Sequence, residues 1–250
     1  MPHPRFRLIT LDLDDTVWPS GPVIRAAEEA VLRWLAAHAP RLTAVHDRET
    51  LREHRLALMA QRPQIAHDLG LVRRLSITTL LQGLGYPSQD AARLGEQALA
   101  VFMAQRNRVE PYPDAAPVLR RLALDYHLVS ITNGNSDPEL TPLAGVFHHH
   151  ITAARAGAAK PDPVVFELAL RLTGTTPREC LHVGDEPYLD VEAARRLGIE
   201  SIWINRSERV WPDALAPPTL TITDLHQLAA WLDAGPTLTH TDRPGGHHGI

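Results

Sequence analysis

The sequence contains a single cysteine, Cys180, so no disulfide can form within the chain. Positive charge is not in excess either, because 25 Lys and Arg residues face 29 Asp and Glu residues and the net charge is −4. This balance lacks the basic footprint of nucleic-acid-binding proteins, and we expect no such partner. No apolar run approaches the ~20 residues of a transmembrane helix, and none of signal-peptide length precedes residue 12. We therefore expect a cytoplasmic protein with no membrane partner.

The composition is that of a folded protein, with 44% hydrophobic and 22% charged residues. A chain of 250 residues can bury a sizeable core and can divide into two lobes. The last stretch, residues 235–250, is polar and rich in Gly, Pro and His, and we expect a disordered tail there.

The most informative stretch is residues 8–16, which read Leu-Ile-Thr-Leu-Asp-Leu-Asp-Asp-Thr. The apolar residues at its start predict a strand of a sheet that is covered on both faces. Ligands of open α/β sheets bind beyond the carboxyl ends of the strands, which is where Asp12 and Asp14 would emerge. Two neighbouring carboxylates repel each other unless a cation joins them or one of them holds a proton. Either solution indicates a functional site.

After residue 16 the apolar residues change to helical spacing, and no second strand is predicted before residue 110. We therefore predict an all-helical insert over residues 17–109. Its helices are predicted at 22–38, 46–61, 67–84 and 88–106. Strands and helices alternate farther along the chain, which indicates a parallel sheet with right-handed crossovers. The strands are predicted at 128–132, 148–153, 181–183 and 199–204, and the helices at 114–124, 164–173, 190–197 and 224–233.

Four polar patches follow these predicted strands and would meet at one edge of a parallel sheet. They are Asp12/Asp14/Thr16, Thr132-Asn133-Gly134, Lys160, and Gly184-Asp185 with Asp190. The carboxylates of Asp12, Asp14 and Asp185 are hard oxygen donors that suit Mg²⁺. A carboxylate in this position can attack a bound phosphate and form an aspartyl-phosphate.

The other residues of these patches suit the transfer of a phosphoryl group. Lys160 supplies a positive charge, and the Thr132 hydroxyl and the N–H of Asn133 can donate hydrogen bonds to phosphoryl oxygens. Asp14 can give a proton to the leaving alkoxide and later take one from the attacking water.

Together and in this order, the four patches resemble the motifs of the haloacid dehalogenase-like hydrolase superfamily, over roughly residues 6–233. The resemblance implies an α/β fold, with a Rossmann-like parallel sheet of strand order 3-2-1-4-5 and a helical C1-type cap inserted after the first strand. Residues 1–16 and 110–234 would then form the core domain, and residues 17–109 would form the cap.

The resemblance also implies roles for single residues. Asp12 is the expected nucleophile and Asp14 the expected general acid and base. Thr132, Asn133 and Lys160 are expected to contact the phosphate of the substrate.

Mg²⁺ is the cofactor that the resemblance implies. Its expected ligands are Asp12, Asp185 and the main-chain carbonyl of Asp14. Thr16 and Asp190 are expected to support these groups without touching the substrate.

Three stretches are similar to one bacterial group in the superfamily, the flavin mononucleotide phosphatases, which also act on 5-amino-6-(5-phospho-D-ribitylamino)uracil. They are residues 131–140 (Ile-Thr-Asn-Gly-Asn-Ser-Asp-Pro-Glu-Leu), residues 181–185 (Leu-His-Val-Gly-Asp) and His67-Asp68. The similarity implies a phosphatase of a small phosphorylated metabolite, with FMN or the ribitylaminouracil phosphate as substrate. We expect a monomer or a homodimer.

Four other functions fit the same motifs: a phosphatase of another nucleotide or sugar phosphate, a phosphomutase, a haloacid dehalogenase, and a non-catalytic interaction protein on this fold. A haloacid dehalogenase needs no general acid two residues after its nucleophile, so Asp14 argues against that activity. A non-catalytic protein would be expected to lack a motif residue, and none is missing.

Some residues outside the motifs also invite a functional interpretation. Consecutive residues of a strand point to opposite faces, so the run His148–His150 is not expected to bind one ion. His182 is predicted to be a buried histidine whose polar atoms are satisfied. Four residues of the insert could reach the substrate, although such side chains more often lie on a solvated face. These are Arg62, His67, Arg73 and Arg74.

Overall fold

The computed structural model describes residues 3–235, and within this range all strands belong to one parallel sheet. The strands are Leu8–Leu11 (β1), His127–Thr132 (β2), His149–Thr152 (β3), Cys180–Gly184 (β4), Glu200–Ile204 (β5) and Leu220–Ile222 (β6). Their order across the sheet is β3-β2-β1-β4-β5-β6. The predicted order 3-2-1-4-5 is confirmed, and β6 adds an edge strand that is too short for its sequence period to be recognised. The predicted tail lies, apart from Gly235, outside the described residues.

In the described chain, a run of helices separates β1 from β2. They are Ser20–His38 (α1), Pro40–Thr43 (α2), Arg48–Gln61 (α3), Leu69–Gly83 (α4), Ser88–Arg106 (α5) and Ala115–Leu122 (α6). The later helices are Ala153–Ala156 (α7), Val164–Thr173 (α8), Ala193–Arg196 (α9) and Leu225–Ala234 (α10). The helix predicted over 190–197 instead starts earlier, as a π-helical turn over Pro187–Glu192 that continues into α9. No helix in residues 3–235 has the length and apolar character needed to cross a membrane.

β1 lies in the middle of the sheet because its side chains are apolar on both faces. Leu8, Ile9 and Leu11 are fully buried. The strand pairs in parallel with β2 and β4, so that Leu8 lies opposite both His127 and Cys180. Since all these strands run in one direction, the segments that follow β1, β2 and β4 leave the sheet at the same edge.

Buried apolar side chains form three clusters in the described chain. Two of them cover the faces of the sheet: Ile9 and Leu11 belong to one, and Leu8 and Val129 to the other. The third lies among α1–α5. Its buried members are Ala27, Val31, Leu35, Ala39, Leu42, Leu51, Ile77, Leu81, Ala91, Leu94, Ala98 and Phe102. The helical segment after β1 therefore has apolar packing of its own.

A buried ion pair joins distant segments on the sheet side of the molecule. Asp114, just before α6, accepts hydrogen bonds from Arg206 at 2.7 and 3.1 Å. The same carboxylate accepts the N–H of Leu225 at the start of α10, at 2.7 Å. The Arg206 Nε donates to the carbonyl of Thr16 at 2.8 Å, and its guanidinium lies over the ring of Tyr112. The two side chains of the pair are only 9% and 10% exposed, so removing one leaves the other charge without its partner in the interior.

Replacing Asp114 by Asn should lower the free energy of unfolding by about 3 kcal/mol near neutral pH, because Arg206 stays buried without a counter-charge. Burial acts to raise the pKa of Asp114, but the hydrogen bonds from Arg206 and the Leu225 N–H outweigh it and lower that pKa below its ordinary value of 3.8. The stability that the carboxylate contributes is therefore present above pH 3.8 and is lost as the pH falls through the lower folded-state pKa. Denaturant titrations of both proteins across this range would show the difference shrinking in acid.

The exposed pair of Arg121 with Asp233 provides the matched control, because its side chains are 43% and 52% exposed. Asp233→Asn should cost less than about 1 kcal/mol at any pH. Equal costs for the two substitutions would contradict a structural role for the buried pair.

Candidate active site

A small cavity of about 160 Å³ opens at the edge of the sheet where β1, β2 and β4 end. Side chains from all four predicted patches line it. They are Asp12, Asp14, Asp15, Thr132, Asn133, Gly134, Lys160, Asp185, Glu186, Leu189 and Asp190. The cavity is smaller than the ~300 Å³ at which pockets for whole small molecules begin, so it has room for one end of a substrate.

Lys160 lies between two carboxylates at the centre of this cavity. Its Nζ donates to Oδ1 of Asp12 and to Oδ1 of Asp190, both at 2.5 Å, and all three side chains are buried. Burial acts to lower the pKa of Lys160, but the two carboxylates outweigh it and raise that pKa above its ordinary value. The ammonium group is therefore charged, and its contact with phosphoryl oxygens stays a prediction.

Asp190 is held in place from several sides. His182 in β4 contacts Oδ1 of Asp190 through Nε2 at 3.2 Å, and the N–H of Glu186 donates to Oδ2 at 3.0 Å. Because a carboxylate only accepts, Nε2 of His182 carries the proton, and Nδ1 lies 2.9 Å from the hydroxyl of Thr10. A Cβ at Gly184 would collide with the Asp190 carboxylate. This close approach explains the glycine at the end of β4.

Burial acts to raise the pKa of Asp190, but the charge of Lys160 and the contact with His182 outweigh it and lower that pKa below its ordinary value. Burial lowers the pKa of His182, which keeps the imidazole neutral. As predicted, His182 is a buried histidine whose polar atoms are satisfied. Its contact with Asp190 connects it to the site, which was not predicted.

Asp185 extends the acidic cluster at the end of β4. Burial and the carboxylates of Asp190 and Glu186 raise its pKa to about 7, against the opposing effect of Arg209. The hydroxyl of Thr16 contacts Oδ1 of Asp185 at 3.4 Å, and its supporting role in the site stays a prediction. Arg209, on the loop after β5, donates to Oδ2 of Asp185 at 3.0 Å and also to its main-chain carbonyl.

Within residues 3–235, one group of side chains has the spacing of a metal site. Carboxylate oxygens of Asp12, Asp185 and Asp190 lie within 4.8 Å of one another. Burial raises the pKa of Asp12 well above its ordinary value, and Asp190 and Asp185 add to this effect while Lys160 opposes it. The charge of Lys160 offsets only part of the repulsion among these carboxylates. Three hard oxygen donors in this state suit a divalent cation such as Mg²⁺.

The carboxylate of Asp14 lines the same cavity but does not belong to this cluster. Trp18 donates through Nε1 to Oδ1 of Asp14 at 2.9 Å, and Arg106 donates through Nη2 to Oδ2 at 2.5 Å. The neighbouring Asp15 has a positive φ of 59° and accepts hydrogen bonds from the N–H and hydroxyl of Ser20 at the start of α1. In the loop after β1, Asp12 and Asp14 therefore line one cavity but have different hydrogen-bond partners.

The Thr132-Asn133-Gly134 turn supports the lysine. The amide of Asn133 donates to the Lys160 carbonyl at 2.9 Å and accepts the Lys160 N–H at 2.7 Å. The hydroxyl of Thr132 accepts the N–H of Gly134 at 2.9 Å and lines the cavity. The side chain of Asn133 thus fixes the backbone that carries Lys160, which sequence reasoning did not anticipate.

Arg73, one of the four residues of the insert predicted as able to reach the substrate, lies inside the helical segment. Arg73 is buried, lies 3.6 Å above the ring of Phe102 and faces Glu28 at 3.7 Å. It packs among helices instead of reaching the cavity. Arg74 faces Glu96 at 3.4 Å, and neither Arg62 nor His67 lines the cavity in the described chain.

Two contacts at the site come from residues that sequence reasoning missed, Arg106 and Arg209. Each pairs with a motif carboxylate that is distant in sequence, and nothing in the local pattern separates them from surface arginines. The run His148–His150 is not assembled into a metal site: Nδ1 of His148 accepts the N–H of Leu128 at 3.1 Å, and Nδ1 of His150 contacts the hydroxyl of Ser130 at 2.7 Å.

The chain matches the haloacid dehalogenase-like hydrolase family over residues 6–198. It is 31% identical over 220 residues to the 5-amino-6-(5-phospho-D-ribitylamino)uracil phosphatase YigB of Escherichia coli (strain K12), covering 86% of this chain and 92% of that relative. It is 30% identical over 249 residues to the phosphoserine phosphatase of Thermus thermophilus, covering 89% of this chain and 97% of that relative. Among solved structures, the 2-haloacid dehalogenase from Pseudomonas syringae pv. tomato DC3000 matches with a TM-score of 0.87 and 37% identity. The match covers 92% of this chain and 99% of that structure's chain.

These similarities agree with the geometry at the edge of the sheet. The family match begins just before β1 and ends after α9, so it contains every motif residue discussed above. The prediction of a hydrolytic enzyme is confirmed. Its motifs, its sheet order and its relatives together show that the chain belongs to the haloacid dehalogenase-like hydrolases.

Proposed function

We propose that this enzyme is a Mg²⁺-dependent phosphomonoesterase that hydrolyses a small phosphorylated metabolite through an aspartyl-phosphate on Asp12. Both relatives described above, YigB and the phosphoserine phosphatase, are phosphatases, which supports phosphatase activity for this chain. The proposed reaction through Asp12 rests on one observation: Asp12, Lys160 and Asp185 lie together in one buried cluster. A nucleophile, a fixed cation and a further carboxylate then surround the place of a phosphoryl group.

The donor set fits a magnesium ion. Asp12, Asp185 and the main-chain carbonyl of Asp14 would hold it, and Asp190 would keep its contacts with Lys160. When bound, Mg²⁺ neutralises the carboxylates and draws negative charge from phosphoryl oxygens. The side chain that joins Asp12 and Asp185 in the cluster is that of Asp190, and the carboxylate of Asp14 is not part of it.

Asp12 has one carboxylate oxygen available for attack. Oδ1 accepts a hydrogen bond from Lys160, and none of the hydrogen bonds found within residues 3–235 involves Oδ2. The bond from Oδ2 to phosphorus forms while the bond from phosphorus to the leaving oxygen breaks. Asp14 donates a proton to that oxygen, then removes one from the water that attacks the aspartyl-phosphate and releases phosphate.

The other motif residues hold the phosphoryl group during both steps. Lys160 offers its remaining N–H to a phosphoryl oxygen, since Nζ has three donors and two are used by carboxylates. The Thr132 hydroxyl and the N–H of Asn133 line the same wall. These donors are already fixed before substrate binds, so little reorganisation is needed as charge develops.

The rest of the substrate extends out of the small cavity, and we propose that the helical segment, residues 17–109, covers it as a cap. Closure of such a lobe would exclude water, and opening would release product. FMN and 5-amino-6-(5-phospho-D-ribitylamino)uracil are the proposed substrates, supported by the similarity to YigB over most of both chains.

Haloacid dehalogenation is the alternative that a specific observation favours, namely the close structural match to a 2-haloacid dehalogenase. Asp14 and the acidic cluster argue for phosphate chemistry instead. Loss of a halide ion needs no proton donor at the leaving group, whereas an alkoxide does.

Among FMN, the ribitylaminouracil phosphate, phosphoserine and a sugar phosphate, we expect the first two to have kcat/KM values at least about tenfold higher than the others, because contacts outside the cavity add to transition-state binding. Phosphate release with each compound at fixed Mg²⁺ measures this. A preference for phosphoserine would contradict the proposed substrates. Chloride release from 2-chloropropionate, without any phosphate release, would contradict the proposed reaction.

Asp12→Asn should reduce phosphate release from p-nitrophenyl phosphate by about 10³-fold or more, because the amide cannot act as the nucleophile. Asp125→Asn serves as the control and should retain full activity, since Asp125 is exposed and lies before β2, at the opposite end of the sheet from the cavity. Thermal unfolding of both variants checks that they are folded. Undiminished activity in Asp12→Asn would remove Asp12 from its proposed role.

Asp185→Asn should raise the Mg²⁺ concentration that gives half-maximal activity by at least about tenfold, because one hard oxygen ligand is lost. Titration calorimetry with Mg²⁺ alone should show the same loss of affinity in the absence of substrate. An excess of EDTA should abolish the activity of the unmodified enzyme. Equal Mg²⁺ affinity in Asp185→Asn and Asp125→Asn would show that Asp185 is not a ligand.

A further inference from the structure

Arg106 contacts the motif carboxylate that lies outside the acidic cluster, that of Asp14. We propose that Arg106 is a positioning residue that holds Asp14 in place for proton transfer to the leaving group. The inference rests on the proposed function and goes beyond it, because Arg106 belongs to none of the motifs and comes from the helical segment.

The contact fixes Asp14 from two directions. Arg106 Nη2 lies 2.5 Å from Oδ2, and Trp18 Nε1 lies 2.9 Å from Oδ1. The two donors come from residues 88 positions apart, one in the loop after β1 and the other the last residue of α5. The orientation of the carboxylate is therefore determined by both its own loop and the helical segment.

The burial of Arg106 argues that it does more than stabilise the fold. Its side chain is 2% exposed, and its second terminal nitrogen, Nη1, is buried without a hydrogen-bond partner in the described chain. A guanidinium in such a place loses its hydration, and an apolar side chain of similar volume is often as good or better for stability. An apolar residue could not donate a hydrogen bond to the Asp14 carboxylate, whereas Arg106 does.

The pair also lies directly against the Thr132-Asn133-Gly134 turn, which is proposed to contact phosphate. A Cβ at Gly134 would lie 2.7 Å from Oδ2 of Asp14 and 3.1 Å from Nη2 of Arg106. Glycine at this position thus makes room for the ion pair beside the hydroxyl of Thr132. Because the backbone of Gly134 approaches the Asp14 carboxylate so closely, Arg106 and the turn together limit where the proton of Asp14 can be delivered.

Holding Asp14 leaves its proton chemistry possible. Each carboxylate oxygen has two lone pairs, so the donors from Arg106 and Trp18 leave a position on each oxygen for a proton. The proton then moves to the leaving oxygen as its bond to phosphorus breaks. Since an error of about 1 Å in such a group costs about 10²-fold in rate, a fixed carboxylate is a measurable advantage.

The test compares two substrates that differ in their need for a proton. Glycerol 2-phosphate has an alkoxide leaving group that must be protonated, whereas p-nitrophenolate leaves without a proton. Arg106→Gln should lower kcat/KM for glycerol 2-phosphate by about 10²-fold and for p-nitrophenyl phosphate by less than about tenfold. kcat/KM is the relevant constant because it covers the steps up to release of the leaving group.

Three further variants make the result specific. Asp14→Asn should show the same selectivity, and Asp14→Asn combined with Arg106→Gln should be no worse than Asp14→Asn alone, because both changes remove one function. Arg106→Lys keeps a cation beside Asp14 and should lose about tenfold on glycerol 2-phosphate only. It replaces the Gln variant if that one does not fold.

Arg55→Gln is the matched control. Arg55 forms an ion pair with Glu28 at 2.6 Å within the same helical segment, and these side chains are 15% and 13% exposed. Its loss should affect the two substrates equally. Equal losses on both substrates in the Arg106 variants, or losses that add to those of Asp14→Asn, would overturn the proposal.

These outcomes differ from a failure of the proposed function. If the unmodified enzyme releases phosphate from neither substrate, or if Asp12→Asn retains activity, the phosphatase mechanism itself is wrong. If both of those controls behave as expected and Arg106→Gln shows no selectivity, only the role of Arg106 is wrong.

Discussion

The charge of Lys160 between Asp12 and Asp190 is the interaction on which the arrangement of the site depends. The carboxylates come from segments after β1 and β4, and without the ammonium group they would face each other in a buried space. Lys160 is also the only lysine of the chain, since every other member of its 25 Lys and Arg residues is an arginine. A compact charge on a flexible stem fits between two carboxylates where a planar guanidinium would not.

Around this lysine, each neighbour has a restricted position for a physical reason. Asn133 binds both polar backbone groups of Lys160, so the end of β2 fixes the lysine loop. His182, buried in β4, holds one oxygen of Asp190, and Gly184 leaves space for that carboxylate. The π-helical turn after β4 brings Asp190 back under the strand end. The donors are therefore rigid before any ligand arrives, which is what electrostatic catalysis requires.

Much of this arrangement is predictable from the sequence because it depends on short-range patterns. The apolar run before Asp12 and the alternation of strands and helices are local, and a parallel sheet then brings the strand ends together. The pairing of Arg106 with Asp14 is not local, since it depends on how α5 ends against the loop after β1. The short strand β6 has no period to detect. The composition gives one further indication: the sequence contains a single lysine, and that lysine is Lys160 of the site.

The central place of β1 has a consequence for the order in which the chain can fold. Residues 8–11 are made early, yet their neighbours in the sheet, β2 and β4, follow more than a hundred residues later. The helices between them are contiguous and have an apolar cluster of their own, so they can form first. Pairing across long loops is slow because closure must precede any gain from contacts. During synthesis, then, β1 leaves the ribosome before the other strands described above, and its pairing with β4 becomes possible only after most of the intervening chain has been made.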